Sequence, residues 1–232
     1  KNKKGLKTIA IHHGESYSDE TGCIMPPIFA TSTFEHGNRA NFDYTRSGNP
    51  NFKILENVLK GIENSKYCTV FSSGISAVTA IVSSLKSGDK ILCESNLYGC
   101  TIRMFEKIFR KFGIQTSYFD FTNKEYIQQI SKVKPSLIWL ESPTNPLLKI
   151  LNIKEICSEA NFRKIPVVVD NTFCTAVIQK PLELGATLSL ISTTKFINGH
   201  SDALGGAVIT NDESWNNKMI FSQKSLGLNP SP

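Results

Sequence analysis

Apolar residues recur along this chain with two alternating habits. Short β-branched or aromatic runs are separated by stretches in which apolar positions fall three or four apart. A short apolar run bounded by turn residues reads as a buried strand, and the wider spacing reads as a helix with one face on a core. The runs at 67–71, 90–94, 117–121, 137–140, 167–169, 188–191 and 206–210 predict about seven strands. Helical spacing joins Phe52, Leu55, Val58, Leu59 and Ile62. It also joins Ile75, Val78, Ile81, Val82 and Leu85, and again Ile102, Phe105, Ile108, Phe109 and Phe112. Further helices are predicted over 123–132, over 153–160 and from Asp212 onward. Strands that alternate with helices imply an α/β fold with a mostly parallel sheet covered on both faces. Residues 1–51 show little periodicity and are broken by Pro26, Pro27, Gly37, Gly48 and Pro50. So long an irregular segment needs a purpose in a compact domain. An arm packed on a neighbouring subunit supplies one, which divides the chain into an arm, 1–51, and a domain, 52–232.

The strand ends carry the candidate chemistry. Val167, Val168 and Val169 lead into Asp170, and the next apolar run, 188–191, leads into Ser192-Thr193-Thr194-Lys195. A carboxylate and a lysine at the ends of two strands meet at one edge of a sheet, where ligands of open α/β sheets bind. A pyridoxal phosphate site needs this pair: an amine to condense with the aldehyde, and a carboxylate to keep the ring nitrogen protonated. Taken alone, Asp170 can equally cap a turn and Lys195 can be a solvated surface lysine. Ser72-Ser73-Gly74 between a strand and a helix is either an anion site or a serine cap. No G-x-G-x-x-G stretch occurs, which disfavours a dinucleotide fold.

Composition narrows the classes. The chain has 232 residues, 40% hydrophobic and 20% charged, with a net charge of +6. Its lysines are scattered, apart from Lys1, Lys3, Lys4 and Lys7, with no basic stripe interleaved with aromatics. Nucleic acid is therefore not the expected partner. Cysteines at 23, 68, 93, 100, 157 and 174 include no C-x-x-C pair, which argues against a disulfide framework and against zinc. No signal-like segment opens the chain, and no apolar run approaches the ~18 residues of a membrane span. A cytoplasmic protein is expected.

The order of these residues resembles the cysteine/methionine-metabolism family of pyridoxal-phosphate enzymes. That family includes cystathionine γ-synthase, cystathionine γ- and β-lyase and methionine γ-lyase. VDNTF at 169–173, PLELGA at 181–186 and STTKFINGHSD at 192–202 carry the likeness, with Y-x-R-x-x-N-P at 44–50 and E-x-P-x-N-P at 141–146. The resemblance implies the fold-type-I, aspartate-aminotransferase-like architecture. It implies that Lys195 bonds the cofactor and shuttles protons, and that Asp170 meets the ring nitrogen. Ser73, the amides of Gly74 and Ile75, Ser192 and Thr194 would hold the phosphate. Tyr98 would stack on the ring and move a proton, and Asn145 would donate to the ring hydroxyl oxygen. Tyr44 and Arg46 would reach the phosphate of an adjacent subunit in a homotetramer built from dimers. A smaller C-terminal domain past residue 232 would supply the arginine for the substrate α-carboxylate. Without it the chain would be a fragment, and a cofactor-binding fragment without turnover is the non-enzyme alternative.

Three residues bear on the reaction. Asp43 before Tyr44 and Arg103 after Tyr98 resemble the γ-synthases, in which they would meet the cysteine amine and the distal carboxylate of an acylated homoserine. Against this, Cys100 after Tyr98-Gly99 resembles methionine γ-lyase. The expectation is γ-replacement by cysteine, with the lyases as alternatives.

Overall fold

The computed structural model describes residues 4–13 and 22–232. Residues 1–3 and 14–21 of the expected arm, with Lys1 and Lys3 of its basic start, lie outside the described residues. The elements run α1 Leu6–His12, α2 Pro50–Glu63, β1 Tyr67–Phe71, α3 Gly74–Val82, β2 Lys90–Glu94, α4 Gly99–Lys107 and β3 Gln115–Phe119. They continue with α5 Tyr126–Val133, β4 Leu137–Glu141, α6 Ile153–Phe162, β5 Val167–Asp170 and α7 Thr175–Ile178, then β6 Leu188–Ile191, β7 Gly206–Thr210 and α8 Glu213–Leu226.

One sheet takes all seven strands in the order β1-β7-β6-β5-β4-β2-β3. Neighbours from β3 to β6 pair parallel, while β7 is antiparallel to both β1 and β6. The mostly parallel α/β sheet expected from the pattern is the one observed. Strands that are apolar at every position are buried on both faces, and alternate residues serve opposite cores. Along β4, Leu137 and Trp139 join the core under α3, α4 and α8, while Ile138 and Leu140 join the core under α5 and α6. A third cluster seats α2, through Phe52 and Leu59, on Val70, Ile191 and Ala207. Helix starts follow their caps: Asn49 before Pro50 accepts from the Asn51 N–H, and the Asp212 carboxylate accepts from the Trp215 N–H at 3.0 Å.

Local differences from the periodic reading have local causes. Strand β3 lies at 115–119 rather than 117–121, because the Phe121 N–H is taken by the Glu94 carboxylate at 2.9 Å and its ring packs on Tyr126. The turn after it, closed by Asp120 and Asn123 side chains, delays α5 to Tyr126. Leu85 lies past the end of α3. Helix α4 stops at Lys107 and tightens into a 3₁₀ turn, Phe109–Phe112, that ends on Gly113 at φ 83°. Phe112 is left 66% exposed, so it does not extend the buried face. Helix α1 was not legible in the pattern; none of its residues is buried.

Candidate active site

The C-terminal ends of the parallel strands open into a cleft of about 1020 Å³. Ser73, Gly74, Ile75, Tyr98 and Asn145 line it, as do Asp170, Ser192, Thr194 and Lys195. The strand ends of β1, β2, β4, β5 and β6 thus converge on one edge, as the topology of open α/β sheets requires.

The turn from β1 into α3 forms one wall. Ser73 caps the helix: its hydroxyl oxygen accepts from the Ser76 N–H at 3.1 Å. Helical geometry leaves the N–H groups of Gly74 and Ile75 without an intrahelical acceptor, and the helix N-terminus adds partial positive charge. Glycine is needed here for closeness. A Cβ on Gly74 would lie 2.8 Å from Ser192 Cβ, and one on Gly206 would lie 2.3 Å from the Ser73 carbonyl oxygen. The cap reading and the anion reading of this turn are therefore compatible, since the cap uses Ser76 and leaves the first two N–H groups free.

The floor is acidic. Asp170 Oδ1 accepts from Thr172 twice, from N at 3.0 Å and from Oγ1 at 2.6 Å. Thr172 Oγ1 in turn accepts from the Ser192 N–H at 2.9 Å, which ties β5 to the lysine loop. Burial raises the Asp170 carboxyl above its ordinary range, and the Thr172 hydrogen bonds pull it back. Glu141, the Cα partner of Asp170 on β4, lies beside it. It accepts from the Tyr98 N–H at 2.7 Å, and burial, then the Asp170 charge, pushes its carboxyl up to about 8.

Lys195 sits in a turn after β6, where its N–H donates to the Ser192 carbonyl at 3.3 Å and its carbonyl accepts from the Gly199 N–H at 2.8 Å. Thr194 lines the cleft, with its hydroxyl donating to the Gly205 carbonyl and accepting from the Gly205 N–H. Tyr98 is 43% exposed at the start of α4. Its phenol is raised by the side-chain hydrogen bond to Cys100, and Arg103 acts in the opposite sense.

Four expected site residues stay out of this chain's cleft. The Arg46 guanidinium lies 5.3 Å from the Tyr44 ring centroid, and its Nη1 donates to the Lys224 carbonyl on α8. Asp43 accepts from the Tyr44 N–H at 2.6 Å. Arg103 is exposed one helical turn past the cleft, with Nη1 3.7 Å from Cys100 Sγ. Among the lining residues that sequence reasoning passed over are Glu141 and Thr172. Glu141 had the same signal as Asp170, an acid closing an apolar strand.

These residues fit pyridoxal phosphate. Asp170 Oδ2 has no hydrogen bond among the described residues, a primary amine lines the same cleft, and free helix N–H groups suit a phosphate. Lys195, Asp170 and Tyr98 can meet the ring, and the α3 turn with Ser192 can meet the phosphate. The sequence model of the Cys/Met metabolism PLP-dependent enzyme family matches residues 7–232. A probable cystathionine γ-synthase of Herpetosiphon aurantiacus is 38% identical over 231 residues, 98% of this chain and 72% of its own length. Cystathionine γ-lyase of Homo sapiens is 39% identical over 97% of this chain, but only 57% of its own length. The crystal structure of cystathionine γ-synthase from Xanthomonas oryzae pv. oryzae, in complex with aminoacrylate and cysteine, superposes with a TM-score of 0.95 at 34% identity. It is matched over 100% of this chain and 61% of its own. A match that runs from residue 7 to residue 232, on a fold shared with solved relatives, makes this chain a member of the pyridoxal-phosphate-dependent Cys/Met metabolism enzyme family.

Proposed function

We propose that the full-length protein is a trans-sulfuration enzyme that replaces the acyloxy group at Cγ of an O-acyl-homoserine with the sulfur of cysteine, giving cystathionine. The observation that supports the general reading is the convergence of Lys195, Asp170 and the N-terminus of α3 on one cleft. Bound pyridoxal phosphate supplies an aldehyde for an amine and an electron-withdrawing ring. Lys195 Nζ takes the proton from the substrate Cα and returns protons along the carbon chain. Asp170 holds the proton at the ring nitrogen, oriented by Thr172. Ser73, the Gly74 and Ile75 N–H groups, Ser192 and Thr194 bind the phosphate, and Asn145 meets the ring hydroxyl. Tyr98 covers the ring face and moves a proton.

The γ-replacement reading rests on Arg103 and Asp43. Arg103 lies on α4, the helix that Tyr98 opens, with its Nη1 3.7 Å from Cys100 Sγ. A guanidinium there suits the distal carboxylate of a succinylated donor through paired charge-assisted hydrogen bonds. Losing one side of such a pair in a partly desolvated site costs ~2–5 kcal/mol, so Arg103→Ala should lower use of a succinylated donor about thirty-fold or more. An acetylated donor should be much less affected. The second reading, a γ- or β-lyase or a methionine γ-lyase, draws support from Cys100 on the Tyr98 phenol. The deciding assay offers the full-length protein O-acyl-homoserine with cysteine, and separately cystathionine or methionine alone. Cystathionine formation that outpaces every elimination supports the synthase. Methanethiol from methionine, or cleavage of cystathionine, as the fastest reaction replaces it with a lyase; no turnover on any of them leaves a cofactor-binding protein.

We infer further that Tyr44 and Arg46 serve a neighbouring subunit, in a cytoplasmic homotetramer of two dimers, because they lie outside their own chain's cleft. Residues 1–51 then act as the arm and 52–232 as the cofactor domain.

A further inference from the structure

Beside Asp170 the cleft holds a second carboxyl group that the functional reading leaves without a task. Glu141 closes β4 as Asp170 closes β5, and the two are Cα partners in parallel register. Residues paired in this way point to the same face of the sheet, on strands about 5 Å apart. Both are buried, Glu141 at 5% and Asp170 at 8% exposure. Their hydrogen bonds are unequal. Asp170 accepts twice from Thr172, whereas Glu141 accepts once, at Oε2, from the Tyr98 N–H. Among the described residues no donor reaches Glu141 Oε1.

Two carboxylates side by side in a buried site do not both carry charge, and donors favour the charged form. The carboxyl with two donors therefore ionises first, and the other keeps its proton. The raised value of Glu141 has the Asp170 charge among its causes, after burial, while the causes for Asp170 do not include Glu141. Glu94, the next acid along the sheet edge, is satisfied by donors from Ser95, Asn96 and Phe121. Tyr98, Lys195 and Asp202 are the other ionisable groups that line the cleft.

We propose that Glu141 is a positioning residue that works as a neutral acid. Its Oε2 holds the backbone N–H of Tyr98, and with it the aromatic ring at the start of α4. Its Oε1 carries the proton, so that the negative charge of the pair resides on Asp170. The proposal rests on reading the cleft as a pyridoxal phosphate site. It explains why an acid, rather than an apolar residue, ends a strand that is otherwise fully buried: the start of α4 needs an acceptor there, and Asp170 needs a neighbour without charge.

The test compares Glu141→Gln, an acceptor without charge, with Glu141→Leu, which keeps bulk only, in the full-length protein. Tryptophan fluorescence follows titration of the cofactor-free protein with pyridoxal phosphate. Glu141→Gln should bind within about threefold of wild type, and Glu141→Leu about tenfold or more weakly, as expected for a buried N–H left without its acceptor. Infrared difference spectra, wild type minus Glu141→Gln, should contain a protonated-carboxyl band at neutral pH that fades as pH rises through about 8. This spectrum is taken with and without cofactor, and it decides the matter even if the leucine variant does not fold. Carboxylate bands alone at neutral pH, or a glutamine variant as weak as the leucine one, would overturn the proposal. The two possible failures separate. Cofactor fixed by borohydride to a residue other than Lys195 overturns the functional reading, whereas an ionised Glu141 overturns only the role given to it here.

Discussion

Burial of acids is the theme at the scale of single residues. Glu63, at the end of α2, is 1% exposed; its Oε1 accepts from the Ser189 hydroxyl at 3.0 Å, and its Oε2 is buried without a hydrogen-bond partner among the described residues. Burial first, eased by the Ser189 hydrogen bond and Lys180, lifts its carboxyl from 4.5 to about 7. Between those values the folded protein holds a proton that the unfolded chain has released. Stability should therefore fall as pH rises through this window, by ~3 kcal/mol from this group, and level off above it. Glu63→Gln should remove that share of the slope, measured as the difference between urea unfolding free energies at about pH 5 and about pH 8. An unchanged slope would mean that Glu63 is ionised in the fold. Residue types at the site were largely readable from the chain. Asp170 follows three valines, and Lys195 follows Ser192-Thr193-Thr194 after an apolar run, so each announces a strand end. Glu141 was not readable as a neighbour of Asp170, because nothing in the residues between β4 and β5, 142–166, says that the strands pair in this register.

At the scale of elements, the wall of the cleft depends on close approach between the start of α3 and the segment after β6. Gly74 is the contact. An alanine there would press its Cβ on Ser192, whose Cα is 3.3 Å from that position, so backbone must move. Overpacking of this kind costs ~1–3 kcal/mol. Because both displaced segments face the cleft, Gly74→Ala should weaken pyridoxal phosphate binding about tenfold as well as lower the melting temperature. A variant that loses stability but keeps its affinity would remove this turn from the phosphate site. Element types were legible because burial imposes their periods: all positions of β4 are buried, and α2 turns Phe52, Leu59 and Ile62 inward. The boundary of β3 was not, since the Glu94 carboxylate that claims the Phe121 N–H comes from another strand.

At the scale of the whole molecule, the placement of Tyr44 and Arg46 carries the prediction. Arg46 reaches α8 of its own chain rather than the cleft. If it completes a neighbour's phosphate site, neither Arg46→Ala nor Lys195→Ala subunits work alone, but mixing them should restore a fraction of the sites, those formed from one intact half of each. No recovered turnover, with subunit exchange verified by mass, would confine the site to one chain. The amino-acid sequence by itself determined the alternation of strand and helix, the parallel α/β class and the residue types at the strand ends. These follow from local periodicity and from turn chemistry, which act over a few residues. Only the tertiary structure decided that β7 runs against its neighbours, that β4 inserts between β2 and β5, and hence that Glu141 stands beside Asp170 while Arg103 stays out of the cleft lining. Those choices are made by hydrogen bonds and packing between segments far apart in the chain, whose partners no local pattern names.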